Sequence, residues 1–154
     1  MRSLASALLA CLLIAAPAFA QPRTPHRQPA PPNLAGVWGF ETAPEPTWGC
    51  VISGRAQVRA TSRRGEYDVR MQAVQRCERE YRDEVRTEQT CTARYLAGGQ
   101  FYVDCRLNEA PEDYEYLPDN FHLTVRNNTL MEGRLISGWI ANASWRRDGD
   151  AYTS

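Results

Sequence analysis

The sequence predicts an all-β fold, an eight-stranded antiparallel up-and-down barrel, and three observations predict it. Apolar residues recur with period two through eight short segments. Turn signals separate the segments, and the connections are too short for crossover helices, so neighbouring strands pair antiparallel. No proline falls between Thr47 and Ala110, where regular ladders form. Eight strands in roughly 115 residues must protect their edges, and closure into a barrel does this with the shortest connections. A two-sheet β-sandwich is the alternative that local periodicity leaves open.

The elements follow in order. Gly36-Val37-Trp38-Gly39-Phe40 opens the first strand. The second, Cys50 to Ala60, sets Ile52, Ala56 and Val58 against Ser53, Arg55, Gln57 and Arg59. In the third, Tyr67, Val69, Met71 and Ala73 alternate with Asp68, Arg70 and Gln72. The fourth runs from about Val85 to Tyr95 and carries Cys91; the fifth holds Phe101, Val103, Cys105 and Leu107. Phe121, Leu123 and Val125 mark the sixth, and the last two are Leu130 to Ile136 and Trp139 to Trp145. Arg64-Gly65, Gly98-Gly99, Asn127-Asn128 and Ser137-Gly138 supply turns. One helical candidate, Cys77 to Arg86, has charge pairs at four-residue spacing but almost no apolar face. It reads as a charged loop or strand extension with at most one helical turn.

The chain of 154 residues allows one domain with a real core. Residues 1–20 read as a secretory signal peptide: Arg2, an apolar stretch from Leu8 to Ile14, and Ala18-Phe19-Ala20 before the cleavage point. A lipoprotein signal ending at Cys11 is the rival. The apolar run is short of the roughly 20 residues a spanning helix needs, so no membrane span is expected. Residues 21–32 contain five of the ten prolines and form an extended arm. The barrel is assigned to 33–147 and a C-terminal tail to 148–154. Periplasmic or secreted localisation follows from cleavage near Ala20.

Cleavage leaves four cysteines, Cys50, Cys77, Cys91 and Cys105, and an oxidising compartment pairs them. Directly opposed residues of a hairpin have a constant sum of positions. Cys91 and Cys105 are centred on Gly98, and Cys50 and Cys77 beside Arg63-Arg64, both at turn signals. Cys50–Cys77 with Cys91–Cys105 is the preferred pairing; Cys77–Cys91 with Cys50–Cys105 stays open.

Composition removes several function classes. All 18 basic residues are arginine, which excludes Schiff-base lysines, Ser–Lys dyads and a P-loop. Two histidines, no C-x-x-C pair and no EF-hand loop give no metal site and no cofactor. Net charge is zero and carboxylates interleave with the arginines of residues 55–94, so nucleic acid is not expected as a partner.

Leu34-Ala35-Gly36-Val37-Trp38 before the first strand and Trp145-Arg146-Arg147 at the last resemble the calycin group: lipocalins, avidin-like proteins and small bacterial metalloprotease inhibitors. The resemblance implies that Gly36 and Trp38 open the barrel and that Arg146 or Arg147 packs across the indole to close it. In size and export the chain is most similar to the inhibitor-like members.

Candidate functional residues are few. His122 alternates with Phe121 and Leu123, so it faces solvent, and no serine or cysteine is tied to it as a nucleophile. Glu109, Glu112, Asp113, Glu115 and Asp119 read as a solvated loop between the fifth and sixth strands. Tyr114 and Tyr116 within it are candidates for a binding rim at a barrel mouth. No catalytic residue is assigned. The expected function is a non-catalytic exported barrel that binds a small apolar ligand or a protein partner. The alternatives are inhibition of a secreted protease through the 21–32 arm and a structural role in the cell envelope.

Overall fold

The computed structural model describes residues 31–79, 84–110, 112 and 114–148. There the period-two pattern becomes eight strands: β1 (Gly36–Thr42), β2 (Val51–Ala60), β3 (Glu66–Arg76), β4 (Val85–Leu96), β5 (Gln100–Glu109), β6 (Asn120–Asn127), β7 (Leu130–Ile136) and β8 (Ile140–Arg147). Each pairs antiparallel with its sequence neighbour, and β1 pairs with β8 to close the barrel. No described residue is helical. Of the helical candidate, Val85 and Arg86 belong to β4, Cys77 to Arg79 have no regular structure, and residues 80–83 lie outside the described residues. The signal peptide and nearly all of the arm, residues 1–30, also lie outside them. Trp139 falls in the β7–β8 turn rather than in β8, because the Ser137 amide donates to its carbonyl (3.1 Å) and holds the chain out of the ladder.

Alternation sets the faces. In β4, Val85, Thr87, Gln89, Cys91 and Ala93 are buried while Arg86, Glu88, Thr90, Thr92 and Arg94 are exposed. A barrel apolar within and charged without is the inverse of a membrane-spanning one, whose apolar band faces lipid. Two glycines permit the tight curvature closure requires. A Cβ on Gly54 would stand 2.0 Å from the Gln72 carbonyl oxygen, and one on Gly133 2.0 Å from that of His122. Any side chain there would force the neighbouring strand away.

The middle of the barrel is filled. Trp145 stacks on Phe40 at 5.4 Å and meets the edge of Phe121 at 5.1 Å; Tyr67 meets Phe101 at 5.6 Å. With Ile52, Val58, Val69, Met71, Leu123, Met131 and Leu135 they belong to one buried cluster. Burial of this apolar area is the main stabilising term of the fold. Two disulfides reinforce it, Cys50–Cys77 and Cys91–Cys105. Cys91 and Cys105 are opposed in the β4–β5 register, and Cys50 and Cys77 extend the β2–β3 register one step beyond Val51 and Arg76.

Candidate functional site

The meander places alternate connections at opposite ends of the barrel. One end carries residues 31–35 and the turns 61–65, 97–99 and 128–129. The other, the mouth, carries among the described residues 43–50, 77–79, 84, 110, 112, 114–119 and 137–139. The two ends are built from different chemistry.

The first end is sealed. Trp38 is wholly buried, and its indole N–H donates to the Leu34 carbonyl (2.9 Å). The Arg147 guanidinium lies 4.7 Å from the Trp38 ring centroid. Its N–H groups donate to the backbone carbonyls of Asn128 (2.7 Å), Ala35 (2.8 Å) and Asn33 (2.8 Å). Arg147 therefore both covers the indole and ties the incoming chain to the β6–β7 turn. Gly36 lies against it at a φ of 142°, which side chains rarely adopt, and a Cβ there would come 3.0 Å from Arg147 Nη1. Arg146 points outward and is exposed. The Tyr67 hydroxyl donates to the Pro32 carbonyl (3.1 Å), fixing the last residues of the arm on this end.

The mouth is polar inside. Thr42, Gln75, Thr87, Gln89 and Asp119 are the buried polar or charged residues among those described, and all five lie there. Asp119 is the centre. Gln89 Nε2 donates to Asp119 Oδ2 (2.6 Å), and the Asp119 amide donates back to Gln89 Oε1 (2.9 Å). The Tyr116 hydroxyl donates to the same Oδ2 (2.8 Å). Gln75 Nε2 donates to the Tyr114 hydroxyl (2.9 Å). The Ser137 hydroxyl also favours the ionised carboxyl but donates to the Leu117 carbonyl (3.0 Å), leaving Asp119 Oδ1 without a hydrogen-bond partner. Burial raises the Asp119 pKa to about 6, against the pull of Tyr116, Gln89 and Ser137. Burial likewise pushes the Tyr116 hydroxyl up, reinforced by the neighbouring Asp119 charge.

The mouth is apolar outside. Of the five large hydrophobic residues that are exposed among those described, Trp48 (51%), Leu117 (51%) and Ile140 (64%) belong to this end. Trp48 sits on a braced turn. The Glu45 carboxylate accepts from the amides of Thr47 (2.8 Å) and Trp48 (2.6 Å), and these bonds, Trp48's foremost, hold its pKa below the usual value. The Arg79 amide donates to the Trp48 carbonyl (3.3 Å), and Cys50–Cys77 staples the two loops.

The sequence treats the 109–119 stretch as a solvated loop, and this needs correction. Glu109, Glu112 and Glu115 are exposed, but Asp119 is wholly buried and Tyr116 nearly so, because inward hydrogen bonds to Gln89 and Asp119 draw them under the mouth. Asp113 lies outside the described residues. Tyr114 is partly buried, so the two tyrosines line the mouth from within, 6.4 Å apart, more than they ring it. His122 is exposed on the outer wall, against the edge of Tyr102 at 4.5 Å. Among the described residues no three His, Cys, Asp or Glu side chains converge as metal ligands.

Sequence reasoning passed over Gln75, Thr87 and Gln89. The signal was present: each continues the inward parity of an apolar series, Tyr67 to Ala73 or Cys91 to Ala93. Trp48 carried no periodic signal because it lies in a loop.

No family model matches the sequence, and no curated protein matches it. Among solved structures the chain is similar to a β-barrel from the de novo design of a fluorescence-activating β-barrel. The TM-score is 0.51 at 15% identity over 74% of this chain and 93% of that one. At that identity the likeness is one of fold.

Proposed function

We propose that this chain is a non-catalytic, exported binding module that engages its partner at the mouth of the barrel. The observation that carries the reading is the inversion there: polar side chains turned inward around Asp119 and large apolar ones turned outward at Trp48, Leu117 and Ile140. A fold alone gains nothing from either choice, since buried polar groups cost desolvation and exposed apolar groups forgo burial. The aromatic filling of the middle rows turns the reading from a small apolar ligand inside the barrel to a protein partner at its rim. The two disulfides and the signal-like first 20 residues support export.

Photo-cross-linking tests the reading. A photoreactive residue is placed at Trp48 or Leu117 and, as controls, at Val37 or Leu96, which are exposed at the sealed end. Adducts in the producing cells are expected from the mouth positions and not from the controls. Adducts from the controls alone would overturn the assignment. Strong emission from a lipophilic dye on mixing would favour an interior ligand instead, the relevant comparison being the neighbour described as fluorescence-activating.

A further inference from the structure

We infer that the mouth docks a basic polypeptide: a segment whose lysine or arginine side chains meet the loop carboxylates while its apolar side chains cover Trp48, Leu117 and Ile140. The inference rests on the mouth being the binding end and adds the chemistry of what binds there.

Charge is distributed between the two ends in a way the zero net charge conceals. The described residues of the connections at the mouth include six acidic ones, Glu45, Glu78, Glu84, Glu112, Glu115 and Asp119, and one arginine, Arg79. The turns at the sealed end, 61–65, 97–99 and 128–129, contain two arginines and no acidic residue. Among the described residues Glu112 and Glu115 are exposed, and no side-chain cation pairs with either. In the same connection Asp119 is a wholly buried carboxylate with one oxygen unpartnered. A like-signed field over a low-dielectric floor attracts and orients a cationic partner. The apolar component argues for a polypeptide over a small cation. Trp48 is an exposed tryptophan on a turn fixed by Glu45, Arg79 and a disulfide, so little ordering entropy is lost when it is covered. Leu117 is similarly held through its carbonyl by Ser137.

The test is a titration of the 15N-labelled protein with three synthetic peptides of equal length, leucine–lysine, leucine–glutamate and leucine–serine, and with spermidine. The leucine–lysine peptide is expected to shift amides of loops 43–50 and 110–119, with affinity falling as salt rises. Neutralising Glu112→Gln and Glu115→Gln together should weaken it about tenfold, and Trp48→Ala by a similar factor. Both variants lie on the surface, and unchanged spectra elsewhere confirm the fold. Equal binding of the leucine–serine or leucine–glutamate peptide at the mouth would overturn the charge assignment and leave the mouth as the binding end. Spermidine binding as tightly as the peptide would overturn the polypeptide assignment. Shifts confined to the sealed end would overturn both.

Discussion

The sealed end and the mouth are made by the same eight strands, yet they handle polar groups in opposite ways. At the sealed end the Trp38 indole has an acceptor and Arg147 spends its donors on three backbone carbonyls, so that only the Trp145 indole N–H behind them is buried without a partner among the described residues. At the mouth a carboxylate is buried without a cation and one of its oxygens has no partner. The difference teaches where fold maintenance ends. A barrel needs one well-capped end and a filled middle; the surplus polarity and exposed apolar surface of the other end are free to serve recognition.

That contrast is sharpened by substitutions. The largest effect is expected from Trp38→Ala, which opens a cavity under the seal and should cost about 3–5 kcal/mol in denaturant unfolding. Removing the mouth staple with Cys50→Ala and Cys77→Ala should cost about 3.5 kcal/mol from loop entropy for a separation of 27 residues. Hydrogen exchange in that variant should rise most in loop 43–50, and around Trp38 by no more than the loss of global stability requires. Arg147→Ala should lower the unfolding free energy by about 2 kcal/mol through lost stacking and three lost hydrogen bonds. Smallest of all, Glu112→Gln with Glu115→Gln should leave stability within about 0.5 kcal/mol. A large loss there would mean the mouth loops are structural and would break the comparison.

The fold was largely legible in the sequence because strand alternation is a local property and the cysteine positions report register independently. Closure was legible through the edges that eight strands must protect and through the Trp38 and Arg146-Arg147 pattern, and the choice between the two arginines fell to parity: Arg147 turns inward behind Trp145, and Arg146 does not. The mouth was harder. Asp119 lies in a run of carboxylates that looks solvated, and its burial depends on Gln89, thirty positions away in sequence. No local pattern encodes that contact. The charge difference between the ends was equally hidden, because it appears only when the loops are sorted by the end they reach.

Asp119 tests the central claim, that the mouth holds its polar centre at a cost to stability. Its folded pKa, about 6, lies above the ordinary 3.8. Between these values the folded chain holds a proton the unfolded chain does not, so this group's contribution to stability is full below about pH 4 and is lost as pH rises through 6. Asparagine keeps the acceptor for Gln89 and Tyr116 without the charge. The measurement is denaturant unfolding of the natural protein and Asp119→Asn from pH 4 to 8. The variant should be more stable by about 2–3 kcal/mol at pH 8, with the difference vanishing toward pH 4. A variant less stable at every pH would show that the carboxylate belongs to the fold, and the mouth would lose its claim to be the functional end.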